Sequence, residues 1–233
     1  MSYVGYVPLL KQYLSKTLPP DHVPSVLEVG LDRGTTFVPL AVHLLRSRPR
    51  FMLVGVDIAL QEQLLLTLRN LDATEEQLVY ALEENSLSIL PRMVQSNTKF
   101  DLVLIDGDHN YHTVSEELKH VEALTFSHSV VVVDDYDGRW STRDLWYADR
   151  PGYEGSKLAT APVETEKHGV KAAVDGWLAD NPGWELHKLL PGEPVVLTRR
   201  GVFTFDPVAP PASGQTDVSV EEWLQAPADE ARK

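Results

Sequence analysis

The sequence has no cysteine in 233 residues, which excludes disulfides, thiolate metal sites and cysteine nucleophiles together. It has no apolar run near the roughly 18 residues that a membrane helix needs, and the β-branched stretch at 130–133 is far too short. It lacks basic charge: 21 Lys and Arg against 34 Asp and Glu give a net charge of −13 and a pI near 5.0. Such a surface repels nucleic-acid phosphates and anionic membranes, so neither is an expected partner. The basic cluster Arg46-Ser-Arg48-Pro-Arg50 falls at the end of a predicted helix, where cations complement the helix dipole. The start, Met1-Ser-Tyr-Val-Gly-Tyr, shows no basic region followed by an apolar stretch, and a cytoplasmic protein is expected. Neither the G-x-G-x-x-G of dinucleotide binders nor a P-loop with its lysine is present.

The residues that are present alternate in period. Val7, Leu10 and Leu14 predict a helix over 6–18, ended by Pro19-Pro20, and 26–30 reads as a buried strand. Phe37, Leu40, Ala41, Leu44 and Leu45 then make one face of a helix. Strands follow at 52–56, 77–81, 100–105 and 130–133, separated by helices at 60–71 and 86–94 and by one carrying Val114, Leu118, Val121 and Leu124. Pro91 is expected to kink the second of these or stop it early. The strands are continuously apolar rather than alternating, so an open parallel sheet with helices on both faces is expected. Residues 136–163 read as a long loop of functional kind. A helix with Val170, Ala173, Val174, Trp177 and Leu178 follows, then strands at 184–190 and 194–198 around Pro191-Gly192, fitting an antiparallel hairpin. Residues 1–200 form the expected domain. Residues 201–233 form a Pro-rich acidic tail, expected to be disordered or an arm between subunits through Val220, Trp223 and Leu224.

Ligands of such a sheet sit outside the carboxyl ends of its strands. After the first strand stands Glu28-Val-Gly30-Leu-Asp32-Arg33-Gly34-Thr35, whose glycines let the backbone approach a ligand. Asp57 ends the second strand, placed for ribose hydroxyls or as a helix cap, and Asn85-Ser86 follow the third, beside an adenine or as caps. Asp106-Gly107-Asp108-His109 and Asp134-Asp135-Tyr136 follow the fourth and fifth strands. Two acidic clusters at one edge repel each other, by about 4 kcal/mol per pair at 4 Å and an effective dielectric of 20. A hard divalent cation, Mg²⁺ foremost, would relieve this; caps and turns are the alternative use of these aspartates. Tyr136, Trp140, Trp146 and Tyr153 are candidates for an aromatic wall over a substrate.

Together Glu28-x-Gly30-x-x-x-Gly34, Asp57, Ile105-Asp106-Gly107-Asp108-His109 and Val133-Asp134-Asp135-Tyr136 resemble class I S-adenosylmethionine-dependent methyltransferases. More narrowly they resemble the metal-dependent small-molecule O-methyltransferases, the group of the catechol and macrocin enzymes. Gly169-Val-Lys171-Ala-Ala173-Val174-Asp175 is similar to a segment of the sugar-modifying branch. The resemblance implies a doubly wound, Rossmann-like, seven-stranded and mostly parallel α/β sheet with an antiparallel C-terminal hairpin. It implies S-adenosyl-L-methionine bound by Glu28, Gly30, Gly34, Thr35, Asp57, Asn85, Ser86 and Asp106, and a divalent cation on Asp106, Asp134 and Asp135. It implies a base at His109, with Asp108 the competing base, a hydroxyl of a sugar or phenol as acceptor, and a homo-oligomer. Asp135 departs from the catechol enzymes, which carry Asn there, and the loop 136–162 matches neither branch. Two other readings use the same residues: a nucleotide-dependent oxidoreductase, and a catalytically silent cofactor-binding or scaffold protein.

Overall fold

The computed structural model describes residues 7–153, 155–188 and 194–201. Helix α1 (Val7–Gln12) runs into a wider helical turn, Tyr13–Thr17. Leu18 is extended, as the residue before a proline prefers. Five parallel strands then alternate with four helices: β1 (Ser25–Val29), α2 (Phe37–Ser47), β2 (Phe51–Asp57), α3 (Glu62–Arg69), β3 (Gln77–Glu83), α4 (Ser86–Gln95), β4 (Phe100–Ile105), α5 (Tyr111–Leu124) and β5 (Thr125–Val133). After α6 (Gly169–Asp180) the antiparallel pair β6 (Trp184–Lys188) and β7 (Val195–Arg199) completes a sheet of order β3-β2-β1-β4-β5-β7-β6.

The expected doubly wound sheet with an antiparallel end is the sheet observed, and residue parity explains why its strands read as continuously apolar. Val26, Leu102, Leu104, Val130 and Val132 pack with α1, α2 and α3 on one face. Leu27, Val29, Val103, Ile105, Val131 and Val133 pack with α4, α5 and α6 on the other. Strands β1, β4 and β5 are thus covered twice, at roughly 1.5–3 kcal/mol per fully buried aliphatic side chain.

Three expectations needed correction. The strand from Gln77 continues to Glu83, because it pairs with β2 along its whole length. Pro91 does not stop α4, which runs four residues further. Arg48 is buried rather than serving its own helix end. Its guanidinium donates to the carbonyls of Leu14, Leu18, Pro19 and Pro20, satisfying the end of the first helical segment. Residues 134–168 form the expected long loop, with one short helical turn at Tyr147–Asp149. The Pro191-Gly192 turn and the expected tail from residue 202 on, Trp223 included, lie outside the described residues. No described helix is long and apolar enough to cross a membrane.

Candidate active site

The strand order reverses between β1 and β4, and loops there must diverge to opposite sides, which opens a crevice. Gly30 ends β1 with φ +87°, and a Cβ there would lie 2.0 Å from the Asp106 carbonyl oxygen, so the loops after β1 and β4 touch at backbone level. Only glycine fits. The resulting cavity, about 550 Å³ counting its mouth, is floored by Val29, Gly30, Val56 and Gly107. Its wall is acidic: Asp32, Asp57, Glu84, Asp106, Asp108 and Glu117 line it, and among the described residues no lysine or arginine does. That charge pattern favours a ligand that is cationic or rich in hydrogen-bond donors, and opposes one carrying phosphates.

Of the residues singled out as cofactor contacts, Gly30, Asp57, Asn85, Ser86 and Asp106 line this cavity, and so does Asp108. Asp57 also braces it, its carboxylate accepting from the backbone N–H of Leu31 (2.7 Å), Asp32 (3.0 Å) and Ala59 (3.0 Å). Glu28 is buried, and one of its oxygens has no hydrogen-bond partner. Burial first, then the charge of Asp57, pushes its carboxyl well above the usual range. Glu28, Gly34 and Thr35 do not line the cavity: Glu28 is buried behind it, Gly34, at φ +78°, packs against Leu64 and Val38, and Thr35 is exposed.

Beside the cavity lies an Asp/His cluster. Asp106, His109 and Asp134 each present a ligand atom within 4.8 Å of the others. Burial, then repulsion from Asp134, Glu28 and Asp135, pushes the Asp106 carboxyl well up. The His109 imidazole is buried between two carboxylates, Nε2 lying 3.8 Å from Asp106 and Nδ1 3.6 Å from Asp135. Burial lowers its pKa against the opposing pull of Asp135, which keeps the ring neutral at working pH. Asp135 sits at φ +57° on the far side of that ring and is not one of the converging trio. Asp108 is differently engaged, accepting from the Tyr147 N–H (3.0 Å) and the Thr113 hydroxyl (3.3 Å), with burial raising its pKa to about 6.

The long loop closes the cavity through contacts that sequence alone did not show. Asn85 caps α4 by accepting from the Leu87 N–H and donates to the Leu158 carbonyl and Thr160 hydroxyl. Asp144 accepts from the N–H groups of Tyr111 and Gly169 and pairs with His168, tying the loop to α5 and α6. Of the four aromatic-wall candidates only Tyr153 lines the cavity, joined by Tyr147 at 5.2 Å between ring centroids. Tyr136 faces α6 instead, hydrogen-bonded to Asp175 and Lys171. Trp140 lies under Arg139 and Arg143, and Trp146 stacks on His112. Glu117 was also missed. Its signal was a glutamate inside the apolar stripe of Val114, Leu118, Val121 and Leu124.

Residues 27–136, the span from β1 to the second acidic motif, match the sequence family described as a methyltransferase domain. That stretch is similar to the methyltransferase domain family. Solved structures agree on its fold. CalS11, a TDP-rhamnose 3′-O-methyltransferase of calicheamicin biosynthesis, superposes with a TM-score of 0.54 at 19% identity, over 85% of this chain and 79% of that one. The MycE methyltransferase of mycinamycin biosynthesis, solved with Mg, S-adenosylhomocysteine and mycinamycin VI, gives 0.52 at 16% identity, over 83% of this chain and 49% of its own. Human methyltransferase-like protein 13, solved with S-adenosylhomocysteine, gives 0.50 at 12% identity, over 95% and 86%. No curated protein sequence matches the chain. Within the matched stretch the acidic cavity lies where β1, β2, β3 and β4 end, with Asp106 belonging to both the cavity and the Asp/His cluster.

Proposed function

We propose that the domain transfers a methyl group from S-adenosyl-L-methionine to a hydroxyl of a small molecule, a sugar or a phenol, with a divalent cation at the Asp106–Asp134 pair. The observation that carries this is the cavity wall, where six acidic residues, Glu117 among them in protonated form, meet no cationic side chain among the described residues. A sulfonium cofactor brings positive charge, an ammonium group, ribose hydroxyls and an adenine amine, all of which such a wall favours. A nicotinamide dinucleotide brings a pyrophosphate, which it repels. The same wall disfavours the oxidoreductase reading, and a scaffold would gain nothing from burying Glu28 and Glu117 with oxygens unpartnered.

The residues fit the cofactor in detail. Asp57, at the end of β2, faces the ribose position while holding the Gly30 loop in shape. Asn85 and Ser86 border the adenine end. The donor set also fits a hard cation, because Asp106 and Asp134 oppose each other with His109 beside them. The cofactor supplies the methyl group for an in-line displacement, and the cation supplies an anchor that lowers the acceptor's pKa. His109, neutral and buried, takes the hydroxyl proton, and the Asp135 carboxylate across the ring at 3.6 Å stabilises the imidazolium that results. Asp108 is held by Tyr147 and Thr113 and serves the cavity wall rather than the proton.

A second reading has one observation in its favour. The atoms that converge are those of Asp106, His109 and Asp134, so His109 would replace Asp135 as the third ligand, with Asp135 orienting the ring. The two separate on His109→Ala: a base loses turnover with cation affinity unchanged, and a ligand loses both. The function itself is tested by methyl transfer from labelled S-adenosylmethionine to a panel of sugar and phenol acceptors. Transfer that requires Mg²⁺ and stops in a chelator is expected. Full transfer in the chelator would remove the cation from the account.

A further inference from the structure

Helix α5 has one residue that breaks its own pattern. Val114, Leu118, Val121 and Leu124 face the core, and Glu117 lies among them, fully buried. Neither carboxyl oxygen has a hydrogen-bond partner. The Ser86 side chain is near enough to oppose the rise of its pKa, and Asp108 adds to that rise. No cation lines the cavity to pair with it. A buried carboxyl left in this condition destabilises the empty protein, because its desolvation is not repaid. Yet it lines the cavity, as Ser86 and Thr113 do.

We propose that Glu117 reads the amidine edge of the cofactor's adenine, pairing with N1 and the 6-amino group together. The inference rests on the cavity being an adenosyl site. Burial raises the Glu117 pKa to about 8, so at neutral pH the side chain is a carboxylic acid with one donor and one acceptor. Adenine N1 accepts and the 6-amino group donates, side by side, which matches that pair. A carboxylate ligand only accepts and a sulfonium does neither. The ribose diol is placed at Asp57, at the end of β2. Glu117 therefore distinguishes adenine from purines lacking the amine, and its two open valences in the empty protein are those that the cofactor fills.

The test uses the full chain and three dissociation constants: for S-adenosylhomocysteine, for its analogue lacking the 6-amino group, and for the analogue lacking the ribose 2′-hydroxyl. These are measured by calorimetry on wild type, Glu117→Gln and Glu117→Leu. Wild type is expected to bind the amine-deleted analogue roughly tenfold more weakly, the scale of one buried hydrogen bond. Glu117→Leu is expected to weaken S-adenosylhomocysteine by at least roughly tenfold and to lose sensitivity to the amine. Glutamine reproduces the donor and acceptor of the neutral acid, so Glu117→Gln keeps both the affinity and the sensitivity. Wild type indifferent to the amine, a Glu117→Leu protein as sensitive as wild type, or Glu117→Gln behaving as Glu117→Leu would each overturn the proposal. So would a Glu117→Leu loss that tracks the 2′-hydroxyl, whether or not either variant folds poorly. If S-adenosylhomocysteine fails to bind wild type at all, the methyltransferase cofactor reading falls first and this one with it.

Discussion

The two ends of the sheet carry the same residue types in opposite states. At the amino ends of β1 and β4, Asp101 is fully buried between His22 and His128, whose Nε2 atoms lie 2.8 and 2.7 Å from Oδ1. Its Oδ2 accepts from the N–H and the hydroxyl of Ser25, at 2.7 and 2.9 Å. At the carboxyl ends, Asp106, Asp134 and His109 converge as closely, but His109 stands 3.8 Å from Asp106, beyond a hydrogen bond, and the carboxyls face one another. By composition each is an Asp/His group able to hold a metal. Asp101 has all its strong lone pairs engaged by protein donors and knits strands together. Asp106 faces other acids instead: it shares a hydrogen bond with the Asp134 carboxyl, and Asp134, Glu28 and Asp135 repel its charge. The lesson is that residue identity marks both, and only the hydrogen-bond inventory separates a structural knot from a site awaiting a ligand. Three of the five buried, unpartnered side-chain atoms among the described residues belong to Glu117, which lines the cavity, and to Glu28, which lies beneath its Val29–Gly30 lining; the others are Trp184 Nε1 and Arg199 Nε on the β6–β7 pair.

That contrast can be broken in four ways. Asp134→Asn should lower turnover by about a thousandfold or more, since it removes half of the cation pair, without lowering thermal stability. An assay of methyl transfer beside a melting curve checks both, and a destabilised Asp134→Asn protein would make this end structural too. His109→Ala should cost roughly a hundredfold in kcat with little change in the KM for S-adenosylmethionine, as loss of a proton acceptor does. Asp101→Ala should do the reverse, destabilising the fold by about 2–3 kcal/mol in urea unfolding while the folded protein keeps its kcat. A loss of activity in excess of the loss of folded protein would show that the amino end also contributes to function.

The smallest effect is one of pH. Glu117 has a folded pKa of about 8, above its ordinary value of 4.5, so between those values the folded protein holds a proton that the unfolded chain has released. Its contribution is therefore complete below about pH 4.5 and is lost as pH rises toward 8. Glu117→Gln removes that slope. Its Tm should match wild type at pH 4 and exceed it by several degrees at pH 8, measured without cofactor. Equal melting curves at both values would mean that the carboxyl finds a partner in the empty cavity.

Much of this was legible in the sequence, and the rest was hidden for physical reasons. Doubly covered strands are apolar at every position, so β1, β4 and β5 stood out; the edge strand β3 was read only over 77–81, because its alternate residues face solvent and its end at Glu83 carries no apolar signal. The motifs at Gly30, Asp57, Asp106 and Asp134 were readable because strand ends place them by topology alone. Arg48 was misjudged because its partners lie 28–34 residues upstream, and nothing local announces them. Tyr136, Trp140 and Trp146 follow the right strand, but the direction of a loop side chain is set by its anchors, here Asp175, Arg139 and His112. Glu117 was visible as a break in the α5 stripe. Its meaning depended on a cavity that only the packing of α5 beside the α4 N-terminus creates.

The claim on which the rest depends is that the acid-lined cavity takes a sulfonium nucleoside and refuses a dinucleotide. Calorimetric titration of the wild-type chain with S-adenosylmethionine and, separately, with NAD tests it without any assumption about the acceptor. Micromolar binding of the first and none of the second is the predicted result. Binding of NAD with no binding of S-adenosylmethionine would contradict the account and leave only the fold standing.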